Sequence, residues 1–303
     1  MRALQLLRPV ATAFFALSTA APAMSAAVVP AAPVSVAGAA EVRGIPVLPT
    51  SANDVVARMD TSPAGPLAKR IAISETTLSG RRLRAYDVDM TKRMHLIVVS
   101  DDMRTFLHVH PVLDRSGVFR ITVTVPSESL YHFYADTEPD GYGHRVFRFD
   151  VPFGAGPFVR HPALAQPPGR IVQAGPYDVT LDRTTLPAGS SSSIAVVVTR
   201  NGRLATDLHP YLGGMAHAVF VNTSDLSYVH VHPAPVVKKP QMSGMMDDDM
   251  AMGTMPEDAT VDPHMTLGVK LENPGTYVLW FQFRGGARLY VARFVVDVRE
   301  SRT

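Results

Sequence analysis

No cysteine occurs anywhere in the 303 residues. That absence excludes disulfides, lipid attachment through an N-terminal cysteine, zinc–thiolate sites and any blue-copper centre with a Cys ligand. A bound metal would have to take His, Met, carboxylate or backbone ligands, a choice that suits an oxidising compartment where free thiols are at risk. An excess of one charge is missing as well. The formal net charge is +2, and without Arg2 and Arg8 the chain has 27 basic residues against 27 acidic ones. Nothing in that balance points to nucleic-acid binding. Also lacking are an amphipathic helical pattern of three turns and, beyond the N-terminal segment, any apolar run long enough to cross a bilayer.

What is present belongs to a globular chain: 46% hydrophobic and 18% charged residues, in a length that fits two ordinary domains. Val, Ile, Thr, Tyr and Phe crowd into short runs separated by turn signals such as Ser79-Gly80, Asp140-Gly141, Asn201-Gly202 and Asn273-Pro274-Gly275. The expected fold class is all-β, two tandem immunoglobulin-like or cupredoxin-like β-sandwich repeats. Residues 1–26 carry Arg2 and Arg8, an apolar stretch through Phe14, Phe15 and Leu17, then small residues. They read as a secretory signal peptide cut between Ala23 and Ala27, which predicts a periplasmic or secreted protein with no membrane span after removal. Residues 27–64, rich in Ala and Pro, read as an N-terminal arm. Repeat 1 is expected over 65–153, a linker over 154–174, and repeat 2 over 175–303.

The repeats are visible as matching phrases. His95-Leu-Ile-Val-Val-Ser-Asp-Asp-Met-Arg-Thr-Phe-Leu-His108-Val-His110-Pro111 matches His217-Ala-Val-Phe-Val-Asn-Thr-Ser-Asp-Leu-Ser-Tyr-Val-His230-Val-His232-Pro233, with the three histidines at identical offsets. Upstream, Thr76-Thr77-Leu78 echoes Thr184-Thr185-Leu186; downstream, Tyr131-His-Phe-Tyr134 and Phe149-Asp150-Val151 echo Tyr277-Val-Leu-Trp280 and Val296-Asp297-Val298.

In a strand, side chains at i and i+2 share a face, so His108 and His110 project together, as do His230 and His232. If each H-x-H strand pairs as a hairpin with the apolar run before it, His95 lies across from His110 or close to it, on the same face when the register allows, and His217, His230 and His232 repeat that geometry. One histidine plus an H-x-H pair makes a three-imidazole set with an open coordination position, suited to copper or zinc. The competing interpretation is a set of half-buried structural histidines capped by the following proline. Each triplet is expected to gather close enough for one ion; the spacing leaves open whether the two triplets stay apart or face one another. His132, His144, His161, His209 and His264 are not duplicated and read as structural or surface residues, His264 being the best outside candidate for a ligand.

Repeat 2 carries an insert at about 234–264. Met242, Met245, Met246, Met250, Met252 and Met255 fall within fourteen residues there, mixed with Asp247-Asp248-Asp249 and two glycines. An apolar core segment would not have that mixture. Thioethers are soft ligands that select Cu(I) over Zn(II), Mg(II) or Ca(II); otherwise the insert is a tolerated low-complexity loop.

The phrases Met94-His95…His-Val-His-Pro111 and Pro210-Tyr-Leu-Gly-Gly-Met-Ala-His217…His-Val-His-Pro233 resemble a two-repeat family of secreted, largely uncharacterised bacterial proteins described as heavy-metal-binding, and the insert is similar to Met-rich segments of periplasmic copper-resistance proteins. The resemblance implies a transition-metal-binding protein, with copper as Cu(I) or Cu(II) the leading ion and zinc the alternative. The implied task is sequestration, or delivery to a periplasmic copper-handling partner. A metalloenzyme with an open three-histidine site is the runner-up, although no acid sits at a spacing that marks a general base. A β-sandwich adhesion or scaffold module is the third reading.

Overall fold

Two kinds of strand occur in the chain, and they end up in different sheets. Ser191–Arg200 and His264–Lys270 alternate between buried and more exposed residues, the pattern of a sheet with one solvated face. Met94–Ser100 and His217–Asn222 are buried at every position, as unbroken apolar runs must be when both faces of a sheet are covered. In the computed structural model, which describes residues 40–47, 54–156, 158, 169–236 and 254–300, each repeat is a sandwich of one sheet of each kind. All regular elements among the described residues are strands.

In repeat 1 the outer sheet runs Ala40–Arg43, Val55–Gly65, Ala68–Thr77, Val118–Thr124, Val112–Leu113, and the inner sheet Ile45–Pro46, Arg145–Phe153, Ser129–Thr137, Met94–Ser100, Phe106–Val109. Repeat 2 has an outer sheet built on Tyr177–Leu181, Ser191–Arg200 and His264–Lys270, and an inner sheet ordered Thr185–Pro187, Arg288–Arg299, Gly275–Gly285, His217–Asn222, Tyr228–Val231. Each sandwich encloses its own core, around Met59, Phe119, Phe133 and Phe149 in the first repeat and around Val196, Phe220, Phe281 and Phe294 in the second.

Three sequence expectations change. Repeat 1 begins well before residue 65, because Val55–Gly65 pairs along its length with Ala68–Thr77 and Ala40–Arg43 pairs with it in turn. Val55, Ala57 and Met59 enter the core at alternate positions, a period that the Ala/Pro content of the 27–64 stretch conceals. The two Thr-Thr-Leu phrases are not equivalent: Thr76 and Thr77 end an outer strand, whereas Thr185 and Leu186 pair parallel with Arg288–Arg299 in the inner sheet. The last echo is out of step by two, since Tyr131 pairs with Val151 and Tyr277 with Val296, making Phe149 the counterpart of Phe294. A shift of two keeps every side chain on its face, so the apolar pattern alone cannot detect it.

The outward faces of the two inner sheets pack on each other. Ile97, Val99, Met103, Tyr134 and Val146 of repeat 1 form one buried cluster with Val219, Val221, Leu226, Tyr228, Val278 and Trp280 of repeat 2. Contacts across it are crosswise. Tyr134 stacks on Tyr228 with ring centroids 4.7 Å apart, and the corresponding Trp280 stacks on Phe106 at 5.3 Å. Met103 and Leu226, which turn the two inner hairpins at φ 58° and 60°, are both held from the opposite repeat: Arg293 Nη1–H donates to the Met103 carbonyl at 3.0 Å, and Tyr134 O–H to the Leu226 carbonyl at 3.0 Å. Tyr134→Phe should therefore cost about 1–2 kcal/mol, the price of one buried hydrogen bond with its carbonyl left unpaired. Urea unfolding checks it: the midpoint should fall with the slope unchanged, and an unaltered midpoint would contradict it.

Candidate metal centre

The crosswise order continues toward one end of the interface, where the apolar rings give way to imidazoles. Leu96 pairs with Val109 and Ala218 with Val231, so His95 falls beside His110 and His217 beside His232 at the open end of each hairpin. Ring centroids within repeat 1 are 4.7–5.1 Å apart, and within repeat 2 4.7–5.5 Å. The triplets also meet each other. His108 is 5.0 Å from His217 and 5.6 Å from His230, and His95 is 5.3 Å from His230 and 5.9 Å from His217. Six imidazoles thus form one cluster between the repeats.

Hydrogen bonds fix which nitrogens face inward. His95 Nε2 lies 3.1 Å from the Asp89 carbonyl and His217 Nε2 3.0 Å from that of Tyr211. A carbonyl only accepts, so both Nε2 atoms carry the proton and, in the neutral rings, both Nδ1 atoms are bare lone pairs. The carbonyls come from matching turns in which Met90 and Thr91, and Leu212 and Gly213, have positive φ. His108 Nδ1 donates to Gln282 Oε1 at 2.9 Å, which leaves its Nε2 bare, and His230 Nδ1 lies 3.4 Å from Asp136 Oδ2. The inward ring nitrogens approach one another: the bare His95 Nδ1 and His108 Nε2 are 2.8 Å apart, and the bare His217 Nδ1 lies 3.3 Å from His230 Nε2 and 3.1 Å from His232 Nε2. His110 Nε2 is buried with no protein partner.

Facing lone pairs at these distances need a cation between them, either a proton or a metal. Burial argues against the proton. It pushes His95 down and His108 and His217 well down, with neighbouring imidazoles, His230 first, adding to the effect. Burial followed by His95 lowers His110 to about 3, and burial followed by His230 lowers His232 to about 3. The donors fit a transition ion, which takes imidazole nitrogens at about 2 Å. His95, His108 and His217 make one group able to hold a metal ion, and His217, His230 and His232 another. Hydrogen bonds donated by the second ring nitrogen to an outer acceptor, here the Asp89 and Tyr211 carbonyls and Gln282 Oε1, are the usual means of locking such ligands.

Asp136 and Gln282 were not among the sequence candidates. They sit opposite His95 and His217 in the neighbouring inner strands, two residues past Tyr134 and Trp280 in the aligned blocks; extending that alignment by one inward position would have found them. Burial alone would raise the Asp136 carboxyl, but hydrogen bonds from His144 and His230 overcome it and hold the group far below the usual carboxylate range. A cavity of about 220 Å³ opens on this side of the cluster, where His95, His230, His232 and Asp136 meet Asp89 and Glu138.

The other candidates are placed differently. Met242, Met245, Met246, Met250 and Met252 lie outside the described residues. Met255 packs against the repeat 2 core, and its N–H donates to the Gly213 carbonyl at 2.8 Å, in the turn that holds His217. His132 bridges Asp101 and Asp150 at 3.1 and 2.7 Å, buried in the interface. His144 bonds Asp136, His209 the Ala259 carbonyl, and His264 is exposed beside Asp262; His161 lies outside the described residues.

A search of curated proteins finds no match. Residues 64–153 and 172–300 match a family model described as a domain of unknown function (DUF8832), one stretch on each repeat, and the chain belongs to that family.

Proposed function

We propose that the protein is an exported transition-metal-binding protein that holds up to two ions between its repeats, one against each histidine triplet, and that copper is the ion it handles by sequestration or delivery. The observation that carries this reading is the set of inward-facing ring nitrogens, 2.8–3.3 Å apart within each triplet, with the two triplets in contact. Imidazole alone admits Cu(II), Cu(I) and Zn(II), and Cu(II) heads the affinity order for such donors. We read the methionines as the source of a preference for copper: the described chain stops at Val236, just past His232, and resumes at Thr254, next to Met255 on the His217 turn, and thioethers select Cu(I). The signal-like N-terminus and the absence of cysteine fit a periplasmic or secreted place of work.

Replacing Met242, Met245, Met246, Met250, Met252 and Met255 together by Leu should reduce Cu(I) uptake in a competition titration while leaving Zn(II) uptake at its wild-type level. Identical Cu(I) titrations would remove the insert from the account. One observation favours a metalloenzyme as a second reading: the cavity brings solvent and the carboxylates of Asp89 and Glu138 to the His95, His230 and His232 side of the centre, where a bound ion could activate water.

A further inference from the structure

The centre is close to two-fold symmetric in its imidazoles but not in what supports them. In each repeat the residue paired with the first histidine of the triplet points across the interface to the middle histidine of the other repeat. In repeat 2 that residue is Gln282, paired with His217, and its Oε1 receives the His108 Nδ1–H at 2.9 Å. In repeat 1 it is Asp136, paired with His95, and its Oδ2 lies 3.4 Å from His230 Nδ1. Both are buried, Gln282 at 6% and Asp136 at 7% exposure. One middle imidazole therefore leans on a neutral amide and the other on a carboxylate. Asp136 is held in that role by two further donors, His144 Nε2–H to Oδ1 at 2.6 Å and Tyr228 O–H to Oδ2 at 3.1 Å.

A carboxylate behind a ligating histidine makes the ring a more basic donor and places a negative charge near the ion, whereas an amide only orients the ring. We propose that Asp136 makes the two halves of the centre inequivalent. The triplet His217, His230 and His232 is the stronger site for a divalent ion and the triplet built on His95 and His108 the weaker, with Asp136 and Gln282 as the positioning residues that set the order. The inference rests on the metal-binding reading above.

The test is a stepwise Zn(II) titration of the full-length mature protein against a chromophoric chelator, for wild type, Asp136→Asn and Gln282→Glu, with thermal melts to verify that each variant is folded. Wild type should load in two steps of different affinity. D136N should weaken the tighter step 10–100-fold, the usual effect of losing an outer carboxylate, and spare the weaker one. Q282E should strengthen the weaker step and bring the two together, a gain that a merely structural role for Gln282 would not produce. If D136N does not fold, Q282E decides. Two equal steps in wild type, equal losses at both steps in D136N, or an unchanged weaker step in folded Q282E would overturn this inference alone; wild-type protein that takes up no Zn(II) would overturn the metal-binding reading with it.

Discussion

Stripping metal from the loaded protein should lower its melting temperature by about 8–16 °C. An ion that binds the folded chain and not the unfolded one adds about 4 kcal/mol when present at a thousandfold excess over its Kd, and about 1 kcal/mol moves the midpoint of a β protein of this size by 2–4 °C. The effect should be concentrated in the interface, because the ligands come from both inner sheets and the ion ties one repeat to the other. His217 offers its one free ring nitrogen to the group with His230 and His232, so His217→Gln should forfeit the part of the shift that this site contributes, whereas a change at exposed His264 should leave it intact. Scanning calorimetry with and without chelator measures both. Equal midpoints for loaded and stripped wild type would contradict the account, as would a full shift in His217→Gln.

The metal-free protein should lose stability as the pH falls from 7.5 to 5. Five cluster imidazoles, His95, His108, His110, His217 and His232, are pushed below the ordinary histidine value by burial, two of them, His110 and His232, to about 3. A group depressed in the folded state is neutral there while its unfolded counterpart takes up a proton below about 6.5, so the unfolded chain binds more protons and stability drains away as pH drops through that value. At pH 5, His110 and His232 cost on the order of 1–2 kcal/mol each after allowance for their partial exposure; His95, His108 and His217 act with the same sign. Glu75, buried in the repeat 1 core and pushed up to about 7 by burial, works in the opposite direction with about 2 kcal/mol, and His144, raised against its burial by the hydrogen bond to Asp136, has the same sign as Glu75: two groups against five. Asp136, held far down, adds its loss only below the ordinary carboxylate range. Imidazoles of ordinary basicity would release metal as the pH falls through about 6. In the folded state protons compete poorly for these nitrogens, so the gap between loaded and stripped melting temperatures should persist at pH 5. A metal-free midpoint that is flat or rises on acidification would contradict the first part, and a gap that closes by pH 5 the second.

The all-β class and the two repeats were legible because apolar alternation and the H…H-x-H-Pro phrase survive divergence, and the hairpin register of each triplet follows from the strand period. The histidine spacing leaves the joining of the triplets open, yet its trace is there: Leu96-Ile97-Val98-Val99 and Ala218-Val219-Phe220-Val221 are continuous apolar runs, which demand cover on both faces, while the outer strands alternate. Two repeats that each lack cover for one face must share it. Asp136 and Gln282 escaped because they differ in residue type between the repeats, so a search for identical residues passes over them although their positions correspond. The first strands of repeat 1 escaped because composition was averaged over a stretch in which only every second residue enters the core. The Met insert is legible as composition alone, since soft donors in a polar context specify a ligand class and no geometry.

X-ray absorption at the metal edge of protein loaded with two equivalents of Cu(II) reads the ligand shell itself. A first shell of nitrogen near 2 Å is expected, with the outer-shell scattering of about three imidazole rings per ion, and a clear loss of that imidazole signal in His217→Gln. A shell dominated by water or carboxylate oxygen, with one ring or none per ion and no response to the His217 change, would place the metal on the surface and contradict a centre built between the repeats.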